Sequence, residues 1–365
     1  MAHSEYVDRQ FGQLPLIHVS NRVLSPELYR SNTSDDLSPR LDYMEIANRL
    51  RGEITGHGLF NSAWYSMVLN LEKLLKLDLV ESLHSSRQFS RHNLILSTSE
   101  RSAIPLAMLL LLARNKKPHF LISHHISSAR KTLLFRVWPL HRTFSHLIFV
   151  SRAQADFAVR RMGIPSDRVD FVYDNVDQNF FRPERLDGGD YVLAVGQEQR
   201  DYQSLTKALR GTEIKLVIVA SSPWSLYPVK IGNISEDNVE VVRNITFREL
   251  RSLYAQARIV VIPLHANNYA AGVNSLLEGM SMARPVVTSF TSGTRDYIAN
   301  GETGRLCPPH DPEALKERIL SLWDDVKARR RLGENGRRAV EERMNLDLYV
   351  DRVVDIVRRK ISVSD

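Results

Sequence analysis

The chain has 365 residues, 43% hydrophobic and 25% charged, with a formal net charge of +7. That length is too great for one ordinary domain and sufficient for two, and the composition excludes a wholly disordered chain. A single cysteine, Cys307, excludes an internal disulfide, a zinc cluster and a thiol redox pair, and favours a reducing cytosol.

Residues 1–5 lack the basic-then-apolar pattern of a signal peptide. The longest apolar run, residues 103–113, is about half the ~20 residues of a membrane span and contains Pro105. It predicts a buried helix, in a cytoplasmic protein that rests at most on the inner face of the plasma membrane. Between Arg114 and Arg161 there are ten Lys and Arg against one acid, Asp156. Such a stretch either forms a solvated helical face or draws the chain to an anionic surface.

In chain order, residues 15–20 read as a first strand. Tyr43, Ile46, Ala47 and Leu50 then mark one stripe of a helix. Residues 93–97 read as a strand before the helix around 104–113, and residues 119–123 and 146–150 as two more. Turn formers gather over 174–183 and at Gly188-Gly189. Beyond them, strands are expected at 191–196, 215–220, 239–241, 258–263 and 285–288, with helical patterns between. Residues 346–361 form a strong amphipathic helix pattern, with Leu348, Val350, Val353, Val354, Ile356 and Val357 among its apolar positions. Apolar strands alternating with helices imply an α/β fold of parallel sheets covered on both faces, with ligands at the carboxyl ends of the strands. The expected division is 1–174 and 175–347, and the pattern leaves open whether the helix of about 348–365 packs back on the first domain.

Several motifs follow one another in a telling order. They are Val150-Ser-Arg-Ala-Gln-Ala-Asp-Phe157, Asp174-Asn-Val-Asp177 with Phe181-Arg-Pro183, and Gly196-Gln-Glu-Gln-Arg-Asp-Tyr202. Asn274-Ser-Leu-Leu-Glu-Gly-Met-Ser-Met-Ala-Arg-Pro-Val-Val287, Tyr297-Ile-Ala-Asn-Gly-Glu-Thr-Gly304 and Pro308-Pro-His-Asp-Pro312 complete the set. Together they resemble the retaining family 4 glycosyltransferases of GT-B architecture, well from about residue 150 onward and more loosely over 93–150. The resemblance implies two Rossmann-like, doubly wound domains facing a central cleft, an acceptor-side domain first and a nucleotide-sugar domain second.

It also implies roles for particular residues. Arg200 aligns with the family's phosphate-binding lysine, and a guanidinium can grip a phosphate at two points. Glu278, expected to open a helix after Gly272-Val273-Asn274-Ser275, would accept hydrogen bonds from ribose hydroxyls. The small residues before it, and Gly196, let the backbone approach the pyrophosphate. Asn274 or Ser275 would add hydroxyl contacts. The base is expected near Asn244-Ile245. Of the adjacent pair after Ser123, His125 fits the family's catalytic histidine better, with His124 close behind. Glu100 is a candidate to orient the acceptor, or else a helix N-terminal acid.

The family's second glutamate falls at Ala270 and its usual cation after the glycine at Gln197. These two departures keep open a scaffold that has lost catalysis, beside the lesser alternative of a sugar epimerase. No Asp-x-Asp, His-Glu-x-x-His, phosphate loop, dinucleotide fingerprint or nucleophile elbow occurs. Metal-independent transfer without a cofactor is therefore expected, from a nucleotide-sugar to a glycan or lipid-linked acceptor, with no nucleic-acid partner.

Overall fold

The computed structural model describes residues 14–57, 72, 77–184, 189–220 and 237–362. The chain divides into two compact units. The first takes residues 1–26, 41–172 and 350–365, and the second residues 27–40 and 173–349.

The first unit is built on a six-stranded parallel sheet in the order β2-β1-β3-β4-β5-β6. Its strands are β1 (Leu14–Arg22), β2 (Glu53–His57), β3 (His92–Ser97), β4 (His119–Ser123), β5 (His146–Phe149) and β6 (Val169–Phe171). Helix α1 (Pro26–Ser34) belongs, beyond Pro26, to the second unit, and the helices of the first are α2 (Asp42–Leu50), α3 (Leu79–Arg87), α4 (Glu100–Leu112), α5 (Ala129–Val137) and α6 (Arg152–Met162). α4 begins four residues before the expected 104, because the Ser99 side chain accepts from the Arg101 N–H at 3.2 Å and caps the first turn there. Pro105 lies inside this helix and cannot donate to the carbonyl four residues back. That carbonyl, on Arg101, is taken by the Asp78 N–H at 3.0 Å, so the helix continues.

The second unit repeats the plan with a sheet in the order β12-β11-β10-β7-β8-β9. The strands are β7 (Tyr191–Val195), β8 (Lys215–Val219), β9 (Val239–Val242), β10 (Ile259–Ile262), β11 (Val286–Ser289) and β12 (Arg305–Cys307). Its helices are α7 (Tyr202–Leu209), α8 (Phe247–Gln256), α9 (Val273–Ser281), α10 (Pro312–Trp323) and α11 (Val326–Ala339); α12 (Leu346–Ser362) ends the described chain and from Val350 onward belongs to the first unit. Successive residues of each central strand enter opposite cores. Leu193, Val195, Val217, Val219, Val260 and Ile262 pack on one face, and Val192, Ala194, Leu216, Ile218, Ile259 and Val261 on the other. This is why the strands read as unbroken apolar runs.

Three strands were not foreseen: β2, β6 and β12, with sequences Glu-Ile-Thr-Gly-His, Val-Asp-Phe and Arg-Leu-Cys. Each lies at the edge of its sheet, with a single neighbour. An edge strand need not be apolar on both faces, so it leaves little periodic signal.

Candidate functional site

In the second unit, β7 ends at Val195 and the chain turns at Gly196 with φ +105°. The loop returns the Arg200 side chain beneath its own start. Arg200 donates from Nε to the Val195 carbonyl at 2.8 Å, from Nη1 to the Glu198 carbonyl at 2.8 Å, and from Nη2 to Ser275 Oγ at 3.2 Å. All three acceptors are neutral. No carboxylate among the described residues pairs with this guanidinium, and two of its N–H groups keep no partner there.

Two glycines make room for it. A Cβ on Gly196 would fall on the guanidinium itself. A Cβ on Gly272, whose φ is +80°, would stand 2.9 Å from Nη1 and 3.1 Å from Ile262 and Leu264 side-chain atoms. Gly272 is also the N-cap of α9, and no side chain caps that end. The first amides of α9 therefore lie next to Ser275 and its bound arginine, an arrangement suited to an anion. Val273 is buried and Asn274 exposed.

Glu278 does not open the helix. It lies in the second turn of α9, 3% exposed. The Tyr254 hydroxyl, from α8, donates to Glu278 Oε2 at 2.8 Å and lies 3.2 Å from the Ser275 carbonyl. Burial first, and then the Glu278 charge, raise this phenol well above its ordinary value, so it remains a neutral donor. Tyr254 was not singled out in the sequence, where it reads only as an apolar position of a helix.

The structure thus brings together Arg200, Gly196, Gly272 and Ser275, and joins Glu278 to them through Tyr254. Ile245 follows β9, two strands from β7, and packs half-buried on the core beside Asn244, whose φ is +56°. Gln197 donates to the Ala220 carbonyl. Glu198, another residue not foreseen, accepts from the Tyr269 hydroxyl at 2.7 Å. It thereby sets a carboxylate against the residue preceding Ala270.

In the first unit, residues 124–127 follow β4. Glu100, a candidate to orient an acceptor or else a helix N-terminal acid, is the first residue of α4; it is 3% exposed and its carboxylate is engaged within the chain. Oε1 accepts from Ser123 Oγ at 2.7 Å and the His125 N–H at 2.6 Å, while Oε2 stands 3.6 Å from Lys131 Nζ. Burial alone would raise this carboxyl. Lys131, His124 and the Ser123 bond outweigh it and hold the group at about 2. Gln154 accepts from the Ile126 and Ser127 N–H groups at 2.8 and 3.0 Å. The half-buried His124 and His125 are therefore carried on a loop tied down at both ends.

No metal site was expected from the sequence. Among the described residues one group of metal-ligand type does converge, Asp201 with His265 and His310.

Residues 194–325 match the family described as glycosyl transferases group 1. The chain carries a glycosyltransferase group 1 domain. An O-antigen chain mannosyltransferase of Escherichia coli is 35% identical over 178 residues, 46% of this chain and 46% of its own length. The alpha-D-kanosaminyltransferase of Streptomyces kanamyceticus is 23% identical over 325 residues, 86% of this chain and 78% of its own. Among solved structures, Anabaena Alr3699/HepE in complex with UDP-glucose aligns with a TM-score of 0.71 at 15% identity, covering 95% of this chain and 100% of its own. The last likeness is one of fold, and the fold is GT-B. The chain spans less than half the length of the first curated relatives it matches, 46%, 40% and 48%.

Proposed function

We propose that the protein is a glycosyltransferase that moves a sugar from a nucleotide-sugar to a glycan or lipid-linked acceptor, with retention of configuration and no metal ion at the pyrophosphate. The observation that carries this is Arg200, a guanidinium held rigidly by neutral acceptors alone beside the uncapped start of α9. As the sugar departs, negative charge gathers on the nucleotide. A fixed cation and backbone amides meet that charge without having to reorganise.

The second unit is assigned the donor and the first the acceptor side. Glu278, steadied by Tyr254, accepts from the ribose hydroxyls. Gly196, Gly272 and Val273 admit the pyrophosphate, Asn274 or Ser275 adds a hydroxyl contact, and Ile245 borders the base. His125, with His124 as the alternative, hydrogen-bonds the transferred sugar. The UDP-glucose bound by HepE and the sugar transfers for which the relatives are named support the donor class.

A lipid-linked acceptor would bring the protein to a membrane surface. No helix among the described residues is long and apolar enough to cross a membrane. On α5, however, Leu133 and Val137 are 59% and 66% exposed one turn apart, among the exposed Arg130 and Arg136. Lys131, from the same basic stretch, is engaged with Glu100 and is not part of that surface.

The test is a thermal-shift screen with UDP, GDP, ADP, CMP and their sugar conjugates in metal-free buffer. Stabilisation by one nucleotide family, lost in Arg200→Ala, is the expected result. A well-folded sample that none of them stabilises would replace this reading with the catalytically inactive scaffold that Gln197 and Ala270 leave open.

A further inference from the structure

Three loops at the carboxyl edge of the second sheet meet at one carboxylate. Asp201 ends the loop after β7, His265 lies beyond β10, and His310 lies beyond β12. His310 Nδ1 is 3.0 Å and His265 Nδ1 3.9 Å from Asp201 Oδ2, and the three ligand atoms all lie within 4.8 Å of one another. The two imidazoles stack, with centroids 4.9 Å apart and planes inclined by 27°. His310 takes a left-handed backbone, φ +58°, which is uncommon for a side chain other than glycine.

We propose that Asp201, His265 and His310 bind a divalent transition-metal ion, Zn2+ foremost, which staples these three loops together. The chemistry of the set selects the ion. Imidazole nitrogens with one carboxylate suit zinc and its neighbours, whereas magnesium and calcium take oxygen ligands. Zinc bonds of about 2.0–2.2 Å in tetrahedral array put ligand atoms roughly 3.3–3.6 Å apart. The two separations from Asp201, 3.0 and 3.9 Å, straddle that value.

The carboxylate is also fixed in advance. Asp201 Oδ1 accepts the Ser204 N–H at 3.0 Å and Oδ2 accepts the Ser204 hydroxyl at 2.7 Å, so the helix it caps orients it. Its side chain is 4% exposed, while His265 and His310 are 46% and 55% exposed. The remaining coordination positions are thus open to water. Asp201 adjoins Arg200, and the His265 N–H donates to the Gln199 carbonyl at 2.9 Å. The ion therefore rigidifies the loop that carries Arg200.

Ion binding needs no nucleotide-sugar, so a failed donor screen leaves this site standing. Untagged, chelator-stripped protein is titrated with Co2+ alone, followed by its visible ligand-field absorption, and with Zn2+ alone, followed by equilibrium dialysis and thermal shift. One ion per chain, a Co2+ band bleached by Zn2+, and a melting temperature raised by Zn2+ are expected. His310→Ala should weaken binding at least about tenfold. The His265→Ala/His310→Ala pair should abolish it, with folding checked by circular dichroism, while the remote His84→Ala leaves it intact. One-to-one binding retained in the paired variant, or none in folded wild-type protein, overturns the site.

Discussion

Lys131 and Arg200 make an instructive pair. Each is a cation tied to a loop that follows a strand of a parallel sheet, Lys131 to the loop after β4 and Arg200 to the loop after β7. Lys131 donates to the His125 carbonyl at 2.5 Å and faces the buried Glu100 at 3.6 Å, so its charge is neutralised within the chain. Arg200 is held just as firmly, but by two carbonyls and a hydroxyl. Its charge is fixed in place and not cancelled. A charge cancelled by a buried carboxylate and a charge held by neutral acceptors alone differ in their partners, and neither set of partners can be read from the local sequence.

The largest expected effect breaks the comparison on the Arg200 side. Arg200→Ala should lower kcat/KM for the donor by about 10²–10³, the usual loss when one fixed donor to a developing anion is removed, with little change in melting temperature. Arg200→Lys should recover little of it, because one ammonium cannot reach three separated acceptors. Unchanged kinetics in either variant would mean that the uncancelled charge has no part in transfer.

On the other side, Glu100→Gln should cost roughly 3 kcal/mol of stability in urea denaturation, since it strands Lys131. The same contribution is pH dependent. The carboxyl sits at about 2 against an ordinary 4.5. Its stabilisation is therefore fully present above pH 4.5 and is lost as pH falls toward 2, by roughly 3 kcal/mol in all. A denaturation midpoint that falls no faster than in Glu100→Gln over that window would contradict the buried ion pair.

A smaller effect sharpens the packing of Arg200. Gly196→Ala should destabilise by about 1–3 kcal/mol, from its positive φ and from the collision with the guanidinium. In an Arg200→Ala background the collision is absent, so part of the cost should disappear in a double-mutant cycle. Additive costs would show that strain at φ +105° accounts for all of it. Tyr254→Phe should cost about 1–2 kcal/mol by removing a hydrogen bond from a buried carboxylate, and should weaken donor binding if Glu278 holds the ribose.

An effect of similar size concerns the surface of α5. Replacing Arg130 and Arg136 by Gln should weaken binding to anionic vesicles roughly thirtyfold, at about 1 kcal/mol per charge near a membrane surface. Equal binding by wild type and variant at low salt would remove the peripheral-membrane reading.

Much of this molecule is legible in its sequence. The central strands β3, β4, β7, β8 and β10 announce themselves because a strand buried on both faces must be apolar throughout. Arg200, Glu278 and the two glycines stand out by their place in an ordered set of motifs. What the sequence hides is pairing. β2, β6 and β12 are strands because a neighbour is there to bond, and only the sheet order supplies it. Glu100 reads alike as a helix acid or an acceptor contact until β4 sets Ser123 and His125 against it. Tyr254 gains its role from α9, and Asp201, His265 and His310 meet because β7, β10 and β12 bring their loops to one edge of the sheet. Periodicity reports how each residue faces its own element. Contact between residues far apart in the chain is decided only when the sheets close.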